Sequence, residues 1–146
     1  MSGLSKEKVV VPIDFSDESL RAIDVALEIA TAPQGVHVVH VLPELMVAEP
    51  AVVWETLDDD TRCHNALNYM QEKLGDAKLG GKYEQVQKHA FVGDAGKWIA
   101  EFAEDLSADL IVMPSHGRTG IKRLMIGSVA ERVVRLAHCP VLVLRS

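Results

Sequence analysis

The chain has few aromatic residues and few cysteines, and it lacks the long apolar stretches of a membrane protein. Aromatic residues make up 5% of its 146 residues, and its two cysteines, Cys63 and Cys139, form no CxxC motif. Such a pair is not the disulfide framework of a small secreted protein, so we expect free thiols. No apolar run is long enough to span a membrane, and the first residues lack the apolar stretch of a secretory signal. We therefore expect a cytoplasmic protein with no membrane partner.

Common nucleotide-binding and metal-binding signatures are also missing. The fingerprint GxGxxG does not follow the first apolar run, and the segment around Gly93–Trp98 departs from a Walker A loop at two positions. Phe91 stands where the first glycine belongs, and Trp98 replaces the Ser/Thr that holds magnesium. The six histidines show no HxH or HExxH spacing. We predict neither a catalytic constellation nor a resident metal.

The charge of the chain is divided unevenly along its length. The net charge is −6 at pH 7, with −11 on residues 1–113 and +5 on residues 114–146. An acidic body argues against general binding of nucleic acids. The basic segment includes Arg118, Lys122 and Arg123 and suits a small anion, although these side chains could simply form a solvated face.

Apolar, β-branched runs alternate with helical patterns along the whole chain, which fits one domain over residues 1–146. The predicted strands are Lys8–Asp14, Val36–Leu42, Glu84–Val92, Leu110–Met113 and Pro140–Arg145. Helices are expected after the caps Ser16 and Asp94, over Leu57–Leu74, and from Ser128. This alternation predicts a doubly wound α/β domain, in which a five-stranded parallel sheet carries helices on both faces. Ligands of such sheets bind at the carboxyl ends of the strands.

The segment from Pro114 to Ser128 carries the strongest functional signal. It follows the fourth predicted strand, passes through Gly117, and reaches Gly127 just before a helix begins. Glycine lets backbone N–H groups approach an anion closely, and a helix N-terminus adds unpaired donors and the positive end of a dipole. The segment therefore predicts a phosphorylated ligand, most of all a nucleotide. Asp14, at the end of the first strand, would contact the ligand or would cap the first helix.

These residues resemble the universal stress protein family. The signature of its nucleotide-binding branch is Gly-x2-Gly-x9-Gly-(Ser/Thr). Gly117 and Gly127 match the second and third glycines, and Ser128 follows. The start Val11–Ser16 and the end His138–Leu144 are also similar to the family pattern.

The resemblance implies the strand order 3-2-1-4-5, a homodimer that pairs through Val141–Leu144, and bound ATP or AMP, with Mg²⁺ as a companion of ATP. It implies a sensor or regulatory module of the stress response. The implied nucleotide contacts are Pro12, Ile13, Asp14, Val41, Met113, Pro114, Gly117, Gly127, Ser128 and Val129. Asp14 would fix the adenine or the ribose, and the backbone of Val41 would read the adenine edge. The two glycines, with Ser128 and Val129, would hold the phosphates, and Arg118, Lys122 and Arg123 are further candidates for phosphate contact.

Pro114 is the one departure from the family signature, because it occupies the position of the first glycine. Proline has no N–H to give a ligand, and its ring fills space that glycine leaves open. A second function therefore stays open, in which the protein has lost nucleotide binding and acts through protein association. A third is slow ATP hydrolysis, for which His116 and Asp14 are the only candidate groups.

Overall fold

Five parallel strands form one sheet in the order β3-β2-β1-β4-β5 in the computed structural model, which describes residues 6–44, 58–115 and 126–145. The strands are β1 (Val9–Pro12), β2 (Val36–Leu42), β3 (Gln87–Val92), β4 (Leu110–Pro114) and β5 (Val141–Leu144). The α-helices of the described residues are α1 (Asp17–Ile29), α2 (Asp59–Leu74), α3 (Ala95–Leu106) and α4 (Ser128–Leu136). The predicted fold class and strand order are confirmed.

The sheet is buried on both faces, which explains why its strands consist largely of valine and isoleucine. Helices α1 and α2 cover one face, where Val9, Val11 and Met70 belong to the same apolar cluster. Helices α3 and α4 cover the other face, where Val10 and Ile111 pack. Because side chains alternate along a strand, neighbouring valines of β1 serve opposite clusters. Strands β1 and β4 are paired at the centre, so their carboxyl ends lie side by side, as the implied strand order requires.

Side chains cap three of the four α-helices within the described residues. Ser16 accepts a hydrogen bond from the Ser19 amide at the start of α1, and Asp94 accepts one from the Lys97 amide at the start of α3. Both caps were expected from the sequence. Asp58 caps α2 in the same way. Helix α4 differs, because its cap residue is Gly127, which has no side chain to offer.

The start of β3 differs from the sequence prediction. The strand begins at Gln87, and the preceding residues from Glu84 form a turn in which the Val86 amide donates to the Tyr83 carbonyl. Tyr83 and Val86 are both buried. Two buried apolar side chains within a turn imitate the pattern of a strand, so periodicity placed the start of β3 too early.

Two histidines form a hydrogen-bonded pair beneath α3. The Nδ1 atom of His37 on β2 lies 3.0 Å from the Nε2 atom of His89 on β3, and the rings stack at a centroid distance of 5.2 Å. Phe102 of α3 contacts both rings. Burial lowers the pKa of both histidines, and the nearby Lys8 charge lowers that of His37 further. The folded protein therefore favours the neutral pair.

We expect the free energy of unfolding to fall as the pH drops below about 6.5. The unfolded chain then binds protons that the His37–His89 pair resists, so stability present above that pH is lost as it falls towards the lowered pKa values of the folded state. Urea unfolding between pH 5 and pH 8 measures this loss. His89→Phe, which keeps an aromatic ring, should flatten the pH dependence, whereas His64→Asn, at an exposed position on α2, should leave it unchanged. Equal slopes in all three proteins would contradict this origin.

Candidate functional site

A cavity of about 280 Å³ opens at the carboxyl ends of β1 and β4, between those strands and the start of α4. Every predicted nucleotide contact within the described residues lines it: Pro12, Ile13, Asp14, Val41, Met113, Pro114, Gly127, Ser128 and Val129. Gly117, Arg118, Lys122 and Arg123 lie outside the described residues, as does His116. The structure thus brings together residues from four separate stretches of the chain.

The floor of the cavity is apolar. Val39 and Val41 alternate along β2 and face the same side, where Ile99 of α3 and Met113 of β4 also line the cavity. Val39, Ile99 and Met113 are buried, and Val41 is half-buried. Such a surface suits a flat, weakly polar group such as a nucleobase.

Asp14 sits at the rim within a network of hydroxyl groups. Its Oδ1 atom accepts hydrogen bonds from the Ser16 hydroxyl at 2.6 Å, the Ser19 hydroxyl at 2.7 Å and the Ser16 amide at 3.1 Å. The Asp14 amide in turn donates to the Ser19 hydroxyl at 3.0 Å. These bonds hold the carboxylate beside the start of α1, so Asp14 has a structural role next to the cap Ser16 and also lines the cavity.

The start of α4 forms the opposite wall. Ser128, Val129 and Ala130 occupy its first turn, where backbone amides have no partner within the helix. The Gly127 amide is already engaged, because it donates to the Ser115 carbonyl at 2.6 Å. Glycine at 127 therefore provides room rather than a donor, and the donors available to an anion belong to the next three residues.

Pro114 ends β4 and lines the cavity. Its neighbour Ser115 is 6% exposed, and the Ser115 amide donates to the Leu144 carbonyl of β5 at 2.8 Å. The proline thus occupies a position where strand pairing continues on one side and the cavity opens on the other. No amide at this position can reach a ligand.

Several residues of the cavity wall were not predicted from the sequence. They are Ser19, Val39, His40, Ala95, Ile99, Ser115 and Ala130. Val39 could have been found, because it lies two residues before Val41 on the same face of a strand. The role of Ser19 leaves no such signal, since it depends on a hydroxyl that folds back onto Asp14. His40 of β2 lines the cavity, and its Nδ1–H donates to the Ile13 carbonyl at 2.9 Å.

The family model of the universal stress proteins matches residues 6–145. The chain belongs to this family. Universal stress protein MJ0531 of Methanocaldococcus jannaschii is 39% identical over 146 residues, which cover 95% of this chain and 82% of that protein.

Solved structures share the fold of this universal stress protein. That of protein MJ0577 of Methanocaldococcus jannaschii has a TM-score of 0.70 and 28% identity, and the match covers 94% of each chain. The universal stress protein of Archaeoglobus fulgidus in complex with dAMP has a TM-score of 0.60 and 23% identity, over 96% of this chain and 98% of that chain. Among the described residues, no helix combines the length and the hydropathy that crossing a membrane requires.

Proposed function

We propose that this universal stress protein binds an adenine nucleotide, ATP or AMP, in the cavity and acts as a sensor or regulatory module of the stress response in the cytoplasm. One observation carries the proposal. Residues far apart in sequence surround one cavity whose wall includes a helix start without a side-chain cap. Anions bind at such helix starts because the amide donors and the dipole act together.

One end of the cavity is apolar and the other carries the start of α4, so a nucleotide would bind in one orientation. The adenine would rest on the apolar floor formed by Val39, Val41 and Ile99. The phosphates would meet the first-turn amides of α4 and the Ser128 hydroxyl. Asp14, which also lines the cavity, would fix the adenine or the ribose. Mg²⁺ would accompany ATP mainly through phosphate oxygens and water.

The dAMP complex of the Archaeoglobus fulgidus relative supports this assignment at the level of the fold. The cavity volume of about 280 Å³ is close to the lower end of ligand pockets, roughly 300 Å³. The described part of the cavity therefore suits a ligand of the size of a nucleoside.

We also propose a homodimer that forms through β5. This strand lies at the edge of the sheet, and Leu142 on it is 37% exposed. An edge strand presents unpaired backbone groups that a second copy can meet across a two-fold axis.

Pro114 supports a second candidate function. It lines the cavity where the family signature has glycine, and it removes one amide from the wall. A chain that had lost nucleotide binding would act through protein association alone.

Isothermal titration calorimetry separates these two functions. We expect ATP and AMP to bind with one site per chain and to raise the unfolding temperature, because a ligand that binds only the folded state stabilises it. GTP serves as the control, since guanine has the size of adenine but carries different hydrogen-bonding groups at its edges. Absence of heat and of a thermal shift with every adenine nucleotide would favour the association function. Equal affinity for GTP would contradict recognition of adenine.

A further inference from the structure

A second cavity lies on the opposite face of the sheet, between α1 and α2. Its volume is about 310 Å³, and we name it the α1–α2 cavity. It is lined by residues that follow β1, by one side each of α1 and α2, and by the short segment 76–79. No residue of α3, α4 or β4 lines it, so it is distinct from the proposed nucleotide cavity, with which it shares Ile13 and Ser19.

The walls of the α1–α2 cavity are apolar. Ile23 and Leu74 are fully buried at its base, and Leu20 and Leu79 are partly buried along its sides. Tyr69 is 43% exposed at its mouth. Aliphatic walls of this kind favour a hydrocarbon chain over water.

Phe15 forms one wall of the α1–α2 cavity and has an unusual backbone conformation. Its φ angle is +67°, in the left-handed region that a bulky side chain seldom adopts. The ring packs edge-on against Tyr69, at a centroid distance of 4.7 Å, and against His40 at 4.9 Å. The fold thus holds an aromatic ring at the side of the cavity.

Positive charge surrounds the mouth. The Lys73 ammonium lies 5.3 Å from the centroid of the Tyr69 ring, and Lys78 is exposed nearby. Within the described part of the chain, neither ammonium pairs with a carboxylate. The Asp76 carboxylate accepts a hydrogen bond from the Lys78 amide at 2.9 Å, which caps the short 3₁₀ helix Ala77–Leu79. Two lysines and one aspartate leave the mouth positive.

We propose that the α1–α2 cavity binds a medium-chain carboxylate, with its hydrocarbon chain between α1 and α2 and its carboxylate at Lys73 and Lys78. An apolar cavity of about 150 Å³ holds a molecule of the size of benzene. Twice that volume suits on the order of ten to twelve non-hydrogen atoms, which corresponds to a chain of about eight to ten carbons. The charge at the mouth selects an anionic head group over a neutral or cationic one.

Calorimetry of the full chain with decanoate, kept below its aggregation concentration, tests this proposal. We expect one site per chain, with weaker binding of decanol and no binding of decyltrimethylammonium. Methyl resonances of Leu20, Ile23 and Leu79 should shift in the nuclear magnetic resonance spectrum. Shifts confined to Val39 and Ile99 would place the ligand in the other cavity and overturn the proposal, as would binding that begins only when decanoate aggregates.

The double variant Lys73→Glu/Lys78→Glu tests the role of the head group. Its affinity for decanoate should fall at least about tenfold, because two attractive charges become repulsive, while its affinity for decanol stays the same. Lys97→Glu on α3 is the matched control, since it changes an exposed lysine away from the cavity, and it should bind decanoate like the unmodified chain. Equal loss of decanol and decanoate binding would show damage to the cavity instead of loss of charge recognition and would overturn the assignment of the two lysines.

Discussion

Gly127→Val is expected to lower the affinity for ATP and AMP at least about a hundredfold. Gly127 is buried and lines the cavity beside the first turn of α4, so a valine side chain would occupy the space proposed for phosphate. Its φ of −69° and ψ of 160° are accessible to valine, and its amide can still donate to the Ser115 carbonyl. The loss corresponds to about 2.7 kcal/mol, the scale of charge-assisted hydrogen bonds that can no longer form. Calorimetry with both nucleotides measures it.

Ala77→Val is the matched control, because it adds the same two methyl groups beyond Cβ at an exposed position remote from that cavity. It should bind nucleotides like the unmodified chain. Both variants should unfold at similar temperatures without ligand. Unchanged affinity of Gly127→Val would mean that phosphates do not lie at the start of α4. Phosphate release that continued at the original rate in this variant would separate any hydrolysis from the cavity.

Tyr83→Ala is expected to lower the free energy of unfolding by about 3–5 kcal/mol, the range for removing a buried aromatic side chain. Tyr83 is 1% exposed and belongs to the cluster beneath α1 and α2. Its hydroxyl donates to the Asp24 carboxylate of α1 at 2.7 Å. The substitution therefore leaves a void and breaks a link between α1 and the turn before β3. Urea unfolding followed by circular dichroism gives the value.

Tyr83→Phe separates the ring from the hydroxyl. It keeps the packing and removes only the interactions of the hydroxyl with Asp24 and Lys82, and Asp24 retains the Lys82 ammonium at 3.2 Å. We expect a loss of about 1 kcal/mol. If both substitutions cost the same, the hydroxyl and not the packed ring would be the main contribution of this residue.

The order of strands and helices could be predicted because the local patterns agree with the fold. The run Val36–Leu42 coincides with β2, since a strand covered on both faces needs apolar residues at nearly every position. The caps Ser16 and Asp94 were predictable for the same reason, because capping is a local interaction. The start of β3 was not, since burial of Tyr83 and Val86 depends on helices distant in sequence.

The candidate site could be predicted only in part. Strand ends and glycines identify its backbone elements, which is why Asp14, Gly127 and Ser128 were predicted and line the cavity. The pattern did not reveal that the Gly127 amide is engaged, since its partner Ser115 becomes a neighbour only when the chain folds. The α1–α2 cavity was missed entirely, because its shape depends on the distance between two helices and on the backbone of Phe15.

The missing side-chain cap of α4 has a consequence for the proposed nucleotide binding. A nine-residue helix with no side chain over its first turn is incomplete by itself, and an anion at that turn would supply the acceptors that serine or aspartate provides elsewhere. Binding of a nucleotide would then make the first turn of α4 more ordered. Because α4 leads directly into the edge strand β5, such ordering would bear on the proposed dimer contact.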